Sequence, residues 1–294
     1  MSIADKVFSG DTLRVGYRFQ RYWDNSMAYA FFCAELGAGL FFVSLLMNNV
    51  AGMIIGLIPV ATGKPYFHLA HMGVPMRSWR AMLRPDRSWI SRGLLGLGAM
   101  IGCGTLLVLC LLFGEQFGIA ADSTIVQGLK LLAGVFAIIT MSYQGFAMSH
   151  SSAIAIWNSA IMPLSSFLYS LAVGTGIVLL IVPSQAVANL AQLQLLLLLS
   201  LGVVHLMLLH AGWHGSPGAR TSVELLLQTL YTKWYLGLTI GVGILLPALL
   251  LWQLPGSNVL SALCIVAGFM CWRILIFKIG VFEPIMSMNP FHNG

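Results

Sequence analysis

Six residues carry reactive side chains into surroundings where such groups are costly. Glu35, Lys64, His68, His71, Tyr143 and Arg273 all lie inside, or at the edge of, long apolar runs. A carboxylate and an imidazole exchange protons. A phenol, an ammonium and a guanidinium donate hydrogen bonds to an oxygen that gains charge. Ionisable groups at membrane depth are functional candidates by default. The plainer alternative is that Glu35 neutralises Lys64 or Arg273 as a structural ion pair. The two readings are compatible, because a paired network can also line a pocket.

The elements that must position these groups follow from composition. The chain has 294 residues, 58% hydrophobic and 8% charged, where a soluble domain has roughly 25% charged. Crossing the hydrocarbon takes ~20 apolar residues. Eight runs qualify: about 27–48, 50–70, 92–114, 126–149, 162–183, 187–211, 234–254 and 258–282. Asn48-Asn49, Pro183-Ser184 and Leu254-Pro255-Gly256-Ser257 punctuate them. Pro59, Lys64 and Pro65 interrupt the second run, which predicts a kink or unwinding near Lys64. The expected fold is an all-α membrane protein of eight transmembrane helices, arranged as two four-helix bundles with both termini on one side. Residues 1–26 form an interfacial segment, 27–283 the transmembrane domain and 284–294 a tail. No cleavable signal peptide is apparent before Met27.

An even span count puts the N-terminal segment and alternate connections on one face, here the N-side. That face collects Lys6, Arg14, Arg18, Arg21, Arg77, Arg80, Arg84, Arg87, Arg92, Arg220 and Lys233, whereas the opposite connections hold no Lys or Arg. The positive-inside rule then makes the N-side, and both termini, cytoplasmic. The five cysteines form no CxxC or ferredoxin-type pattern, so the chain is expected to hold no iron–sulfur cluster of its own.

Depth sharpens the chemistry. Glu35 is roughly 12 Å into the first span at 1.5 Å per residue. Lys64, His68, His71, Tyr143, His205 and Arg273 fall in the same N-side half, while the far half offers Lys130 and amides such as Gln192 and Gln194. One amphiphilic polar layer suits a quinone: ring carbonyls need donors, its redox change moves two protons, and its tail needs an apolar passage. A b-haem between His71 and His205 is one alternative. The far half lacks histidines, so the usual two-haem relay is not provided and haem is disfavoured. A secondary transporter is another, but its broken helices should recur in both halves, and the sixth run, AQLQLLLLLSLGVVHLMLL, is uninterrupted.

Several segments carry a resemblance. HMGVPMRSW at 71–79, SWISRG at 88–93, SYQGF at 142–146, IWNSAIMPLSSFLYSLAVG at 156–174 and Arg273 in the last run together resemble the membrane anchors of the polysulfide-reductase and DMSO-reductase families. The resemblance implies a prokaryotic inner-membrane subunit that anchors a molybdopterin catalytic subunit through a four-cluster iron–sulfur subunit. It implies electron exchange between menaquinone or ubiquinone and the nearest cluster, with no molybdenum in this chain and the terminal substrate handled elsewhere. Tyr143 and His71 carry over as quinone-pocket residues, joined by His68, Glu35, Lys64 and Arg273 from the depth argument. Arg77, Arg80, Arg84 and Arg87 become the docking face for the iron–sulfur partner. Partners are therefore protein and membrane lipid, not nucleic acid. Glu35 in CAELGAG departs from the small-residue run found in many relatives, and Val74 stands where some relatives have a basic or polar residue.

Overall fold

The structure, a computed structural model, describes residues 17–254 and 256–283. Residues 1–16 of the expected interfacial segment, with Lys6 and Arg14, and the tail 284–294 lie outside the described residues. Eight helices are long and apolar enough to cross a membrane. They are α1 (Asn25–Leu46), α2 (Val50–His71), α3 (Trp89–Phe113), α4 (Thr124–Ser149), α5 (Ile161–Val178), α6 (Ser184–Trp213), α8 (Lys233–Gln253) and α9 (Asn258–Lys278). A shorter helix, α7 (Pro217–Gln228), intervenes after α6.

Local sequence explains the boundaries. Asp24 caps α1 by accepting from Ser26 N at 2.9 Å and Met27 N at 3.2 Å, so α1 starts two residues before the apolar run. Asn48 takes a left-handed φ of 51°. Asn49 then caps α2 through Gly52 N at 2.8 Å and donates to Ile181 O at 3.2 Å. Two far-side turns are thereby tied together. The interruption in α2 is a wide π turn over Pro59–Gly63 rather than an unwound stretch, and Lys64 continues the helix. Such bulges absorb a proline's lost hydrogen bond without breaking the rod. A second π segment, Lys233–Leu245, opens α8; nothing in the sequence reading anticipated it.

α1 is the most enclosed span, with 72% of its apolar window buried against 28% for α8. It packs on α2, α4, α5 and α9. One core joins Phe41, Met53, Val60, Met100, Leu107 and Met141 of α1 to α4. Another joins Phe31 and Phe32 of α1 to Tyr169, Leu201, Phe269 and Trp272. The α1–α5 crossing is close: a Cβ on Gly39 would fall on the Ser170 carbonyl, and one on Gly174 on Gly39. Small residues permit such approach where lipid supplies no hydrophobic drive between helices. The outer faces show Leu106, Leu112, Leu131, Leu196 and Leu199, apolar side chains suited to lipid.

On the N-side, β1 (Arg18–Phe19) pairs antiparallel with β2 (Val281–Phe282), Arg18 opposite Phe282. Gln20 seals the junction, bonding Gly280 O through its backbone N–H at 2.8 Å and Phe277 O through its side chain at 3.1 Å. Trp23 packs on Trp157 and Phe277. Residues 18–23 are thus built onto the end of the helix set.

Candidate functional site

Two buried polar clusters meet α1. In the first, Arg273 Nη2 donates to Glu35 Oε1 at 2.6 Å and to Ser166 Oγ at 2.8 Å. Glu35 and Arg273 are 0% and 1% exposed. A buried pair of this kind persists only with added hydrogen bonds, and Ser166 supplies one. The accounting is incomplete: Glu35 Oε2 and Arg273 Nε are buried with no partner among the described residues. The structure places Glu35 ten residues inside α1 and Arg273 five residues from the end of α9. The two reach one another from different depths.

In the second cluster, Lys64 Nζ approaches Gln144 Oε1 at 3.4 Å, and Gln144 Nε2 donates to Phe31 O at 3.1 Å. The ammonium lies 4.8 Å from the Phe31 ring centroid and 5.6 Å from that of Tyr143. Such cation–π contacts partly replace hydration. The Tyr143 ring lies against Gly93, where any Cβ would collide with it. Its hydroxyl is buried and has no hydrogen-bond partner among the described residues. Lys64 and Tyr143 both interact electrostatically with Glu35, which joins the two clusters into one layer.

His68, on the last turns of α2, keeps its Nδ1 buried with no hydrogen-bond partner among the described residues. His71 is placed differently. Its Nδ1 lies 3.1 Å from Asp24 Oδ1, on a partly exposed pair at the N-side rim. Five of the six expected residues therefore lie in or beside the layer, and His71 sits at its edge, held by the residue that also caps α1.

Above the layer, the connection from α2 to α3 folds as a 3-10 helix, Pro75–Met82. Ser91 Oγ donates to Ala81 O at 2.5 Å, and Arg92 donates to Pro85 O and Asp86 O, each at 2.7 Å. Pinned this way, the connection exposes Arg77, Arg80, Arg84 and Arg87. Arg87 stands near Asp86 at 3.5 Å. Among the arginines, Met76, Trp79 and Leu83 are exposed as well.

Sequence reasoning passed over Ser166 and Gln144 as partners, and Tyr169 altogether. The hydroxyls of SSFLYS recur at helical spacing, at 166 and 170 and at 165 and 169, a signal that was present but ordinary. Tyr169 OH lies 2.7 Å from His205 Nε2, and Tyr235 OH 3.2 Å from His205 Nδ1. The far half, expected to hold little beyond Lys130 and amides, also buries the hydroxyls of Ser44, Thr175 and Ser261, which, like the Gln194 amide, have no hydrogen-bond partner among the described residues.

A family model described as polysulphide reductase, NrfD, matches residues 16–283. No curated protein matches the chain.

Proposed function

This chain belongs to the polysulphide reductase, NrfD, family, whose members are membrane subunits of molybdoenzyme complexes. From that premise we propose that it is the quinone-reactive anchor of such a complex. It exchanges two electrons between membrane quinone and an iron–sulfur partner, with two protons taken up or released. One observation carries the reading: Tyr143 holds a buried hydroxyl without an acceptor among the described residues, beside a buried ammonium, in the half of the membrane that lies under the arginine-rich connection. An unmade hydrogen bond in such surroundings costs ~1–3 kcal/mol, and a quinone carbonyl would satisfy it.

The roles follow from the geometry. Tyr143 donates to a carbonyl oxygen. Lys64, 5.6 Å from the Tyr143 ring, offsets negative charge on that oxygen. Glu35 accepts or returns a proton, and Arg273 orients its carboxylate. His68 offers its unpartnered Nδ1 nearer the surface. His71 acts at the rim, through its contact with Asp24. Arg77, Arg80, Arg84 and Arg87 face a four-cluster iron–sulfur subunit, and the molybdopterin subunit attaches through it. The basic N-side is cytoplasmic in this reading. A haem between His71 and His205 would have to displace a tyrosine from His205, both of whose ring nitrogens are engaged, which favours the quinone reading.

Tyr143→Phe tests the proposal. Quinone-linked turnover should fall tenfold or more, about 1.4 kcal/mol of barrier. Activity of the assembled complex with an artificial dye should stay unchanged. Loss of both activities together, or of neither, would remove Tyr143 from the pocket.

A further inference from the structure

The quinone reading leaves a third buried cluster unused. Tyr169 on α5, His205 on α6 and Tyr235 on α8 are 2%, 3% and 1% exposed. His205 Nε2 lies 2.7 Å from Tyr169 OH, and Nδ1 3.2 Å from Tyr235 OH. Trp272 closes over the imidazole, its ring centroid 4.5 Å away. A neutral imidazole has one donor nitrogen and one acceptor nitrogen. With a phenol at each, one tyrosine donates to the ring while the ring donates to the other. The three side chains form a directed hydrogen-bond chain, and a change of tautomer reverses it without leaving a net charge in the membrane.

The two ends of this chain lead to different places. Tyr169 stacks on Phe269 at 4.6 Å, and the Arg273 guanidinium lies over that same ring at 5.3 Å. Ser166, which accepts from Arg273, is one turn away from Tyr169 on α5. There too lie Glu35 Oε2 and Arg273 Nε, buried and without a partner among the described residues, the kind of polar gap that an internal water fills. At the other end, Tyr235 is two residues inside Lys233, where α8 meets the N-side.

We propose that Tyr169, His205 and Tyr235 form a proton relay between the Glu35–Arg273 pair and the N-side surface. The proposal rests on the quinone reading, since the quinol is the source of the proton. In the oxidising direction a quinol proton passes to Glu35 and through water to the Tyr169 oxygen. Tyr169 gives its own proton to His205 Nε2. Nδ1 gives its proton to the Tyr235 oxygen, and the original Tyr235 proton leaves toward water at the N-side. Every group ends with as many protons as it began with. The imidazole has changed tautomer and the hydroxyls must rotate before the next passage. No electron moves along this chain.

The competing role is structural, a clasp joining three helices. His205→Gln separates the two, because an amide also offers one donor and one acceptor but does not relay protons by tautomer exchange. In the intact complex, a relay predicts that His205→Gln lowers quinone-linked turnover by roughly tenfold or more and enlarges its solvent deuterium isotope effect. Dye-linked activity should be unchanged. Turnover within twofold of the native complex and an unaltered isotope effect would overturn the relay. If His205→Gln fails to assemble, Tyr235→Phe, which removes one hydroxyl, is read by the same criteria. Tyr143→Phe is measured alongside. Slow Tyr143→Phe with native-like His205→Gln removes the relay alone. Native-like Tyr143→Phe with slow His205→Gln removes the pocket assignment alone. Native behaviour in both overturns both.

Discussion

Arg273 and Glu35 are the most tightly coupled ionisable residues of the layer, at 2.6 Å and almost fully buried. Removing one partner leaves the other charge stranded, which typically costs ~3–5 kcal/mol. Arg273→Leu should therefore lower the thermal midpoint of the purified protein sharply. The double variant Glu35→Leu with Arg273→Leu should recover most of that loss. A double variant no better than the single would mean that the pair is not the source of the cost. That Glu35 would meet a cation was legible in the sequence, because opposite charges in apolar spans must find compensation, but the choice of Arg273 over Lys64 was not. The partner of His71 was not: Asp24 read as part of a surface segment, and only the cap at the start of α1 brings it to the α2 terminus. Tyr169 did not stand out, for a different reason. A tyrosine in an apolar run is ordinary, and its meaning depends on a histidine 36 residues away.

Among the elements, glycine placement separates packing from mere permissiveness. The sequence shows glycines throughout the third span without saying which ones matter. In the fold, Gly98 and Gly102 of α3 face open space, whereas Gly39 of α1 meets the backbone of α5. Gly39→Leu should block the α1–α5 crossing and deplete the protein from membranes, as judged by immunoblot. Gly102→Leu should leave its level unchanged. Equal accumulation of both would refute the crossing as a tight contact. The spans were readable from apolar length, but their partners were not, because outward and inward faces are similarly greasy. The π turn at Pro59–Gly63 shows the same limit. Proline announces a disturbance, and the surrounding helices decide that it becomes a widened turn leading to Lys64.

At the scale of the whole molecule, exposed charge and buried chemistry share one end. Arg77, Arg80, Arg84 and Arg87 stand on a connection held down by Ser91 and Arg92, on the same side as the polar layer. Changing all four to Glu should release the iron–sulfur partner on co-purification while membrane levels of this chain persist. Lesser changes should make association more sensitive to salt, since rim charges act through screened attraction. Retention of the partner at all salt concentrations would place its binding surface elsewhere. Charge asymmetry was the most legible global feature of the sequence. The closure of residues 18–19 onto 281–282 was not, because two-residue strands carry almost no pattern.

The Glu35–Arg273 contact spans 238 residues, and that interval is also a waiting time. At roughly 5–20 residues per second, synthesis of the intervening chain takes roughly 10–50 s. Through that period the first span rests in the bilayer beside the translocon with its carboxylate unmatched by its final partner. Lys64 emerges only 29 residues after Glu35, so one cation of the layer is in place long before Arg273. A chain halted before its last span therefore keeps the Glu35 carboxylate without the guanidinium that binds it in the finished fold.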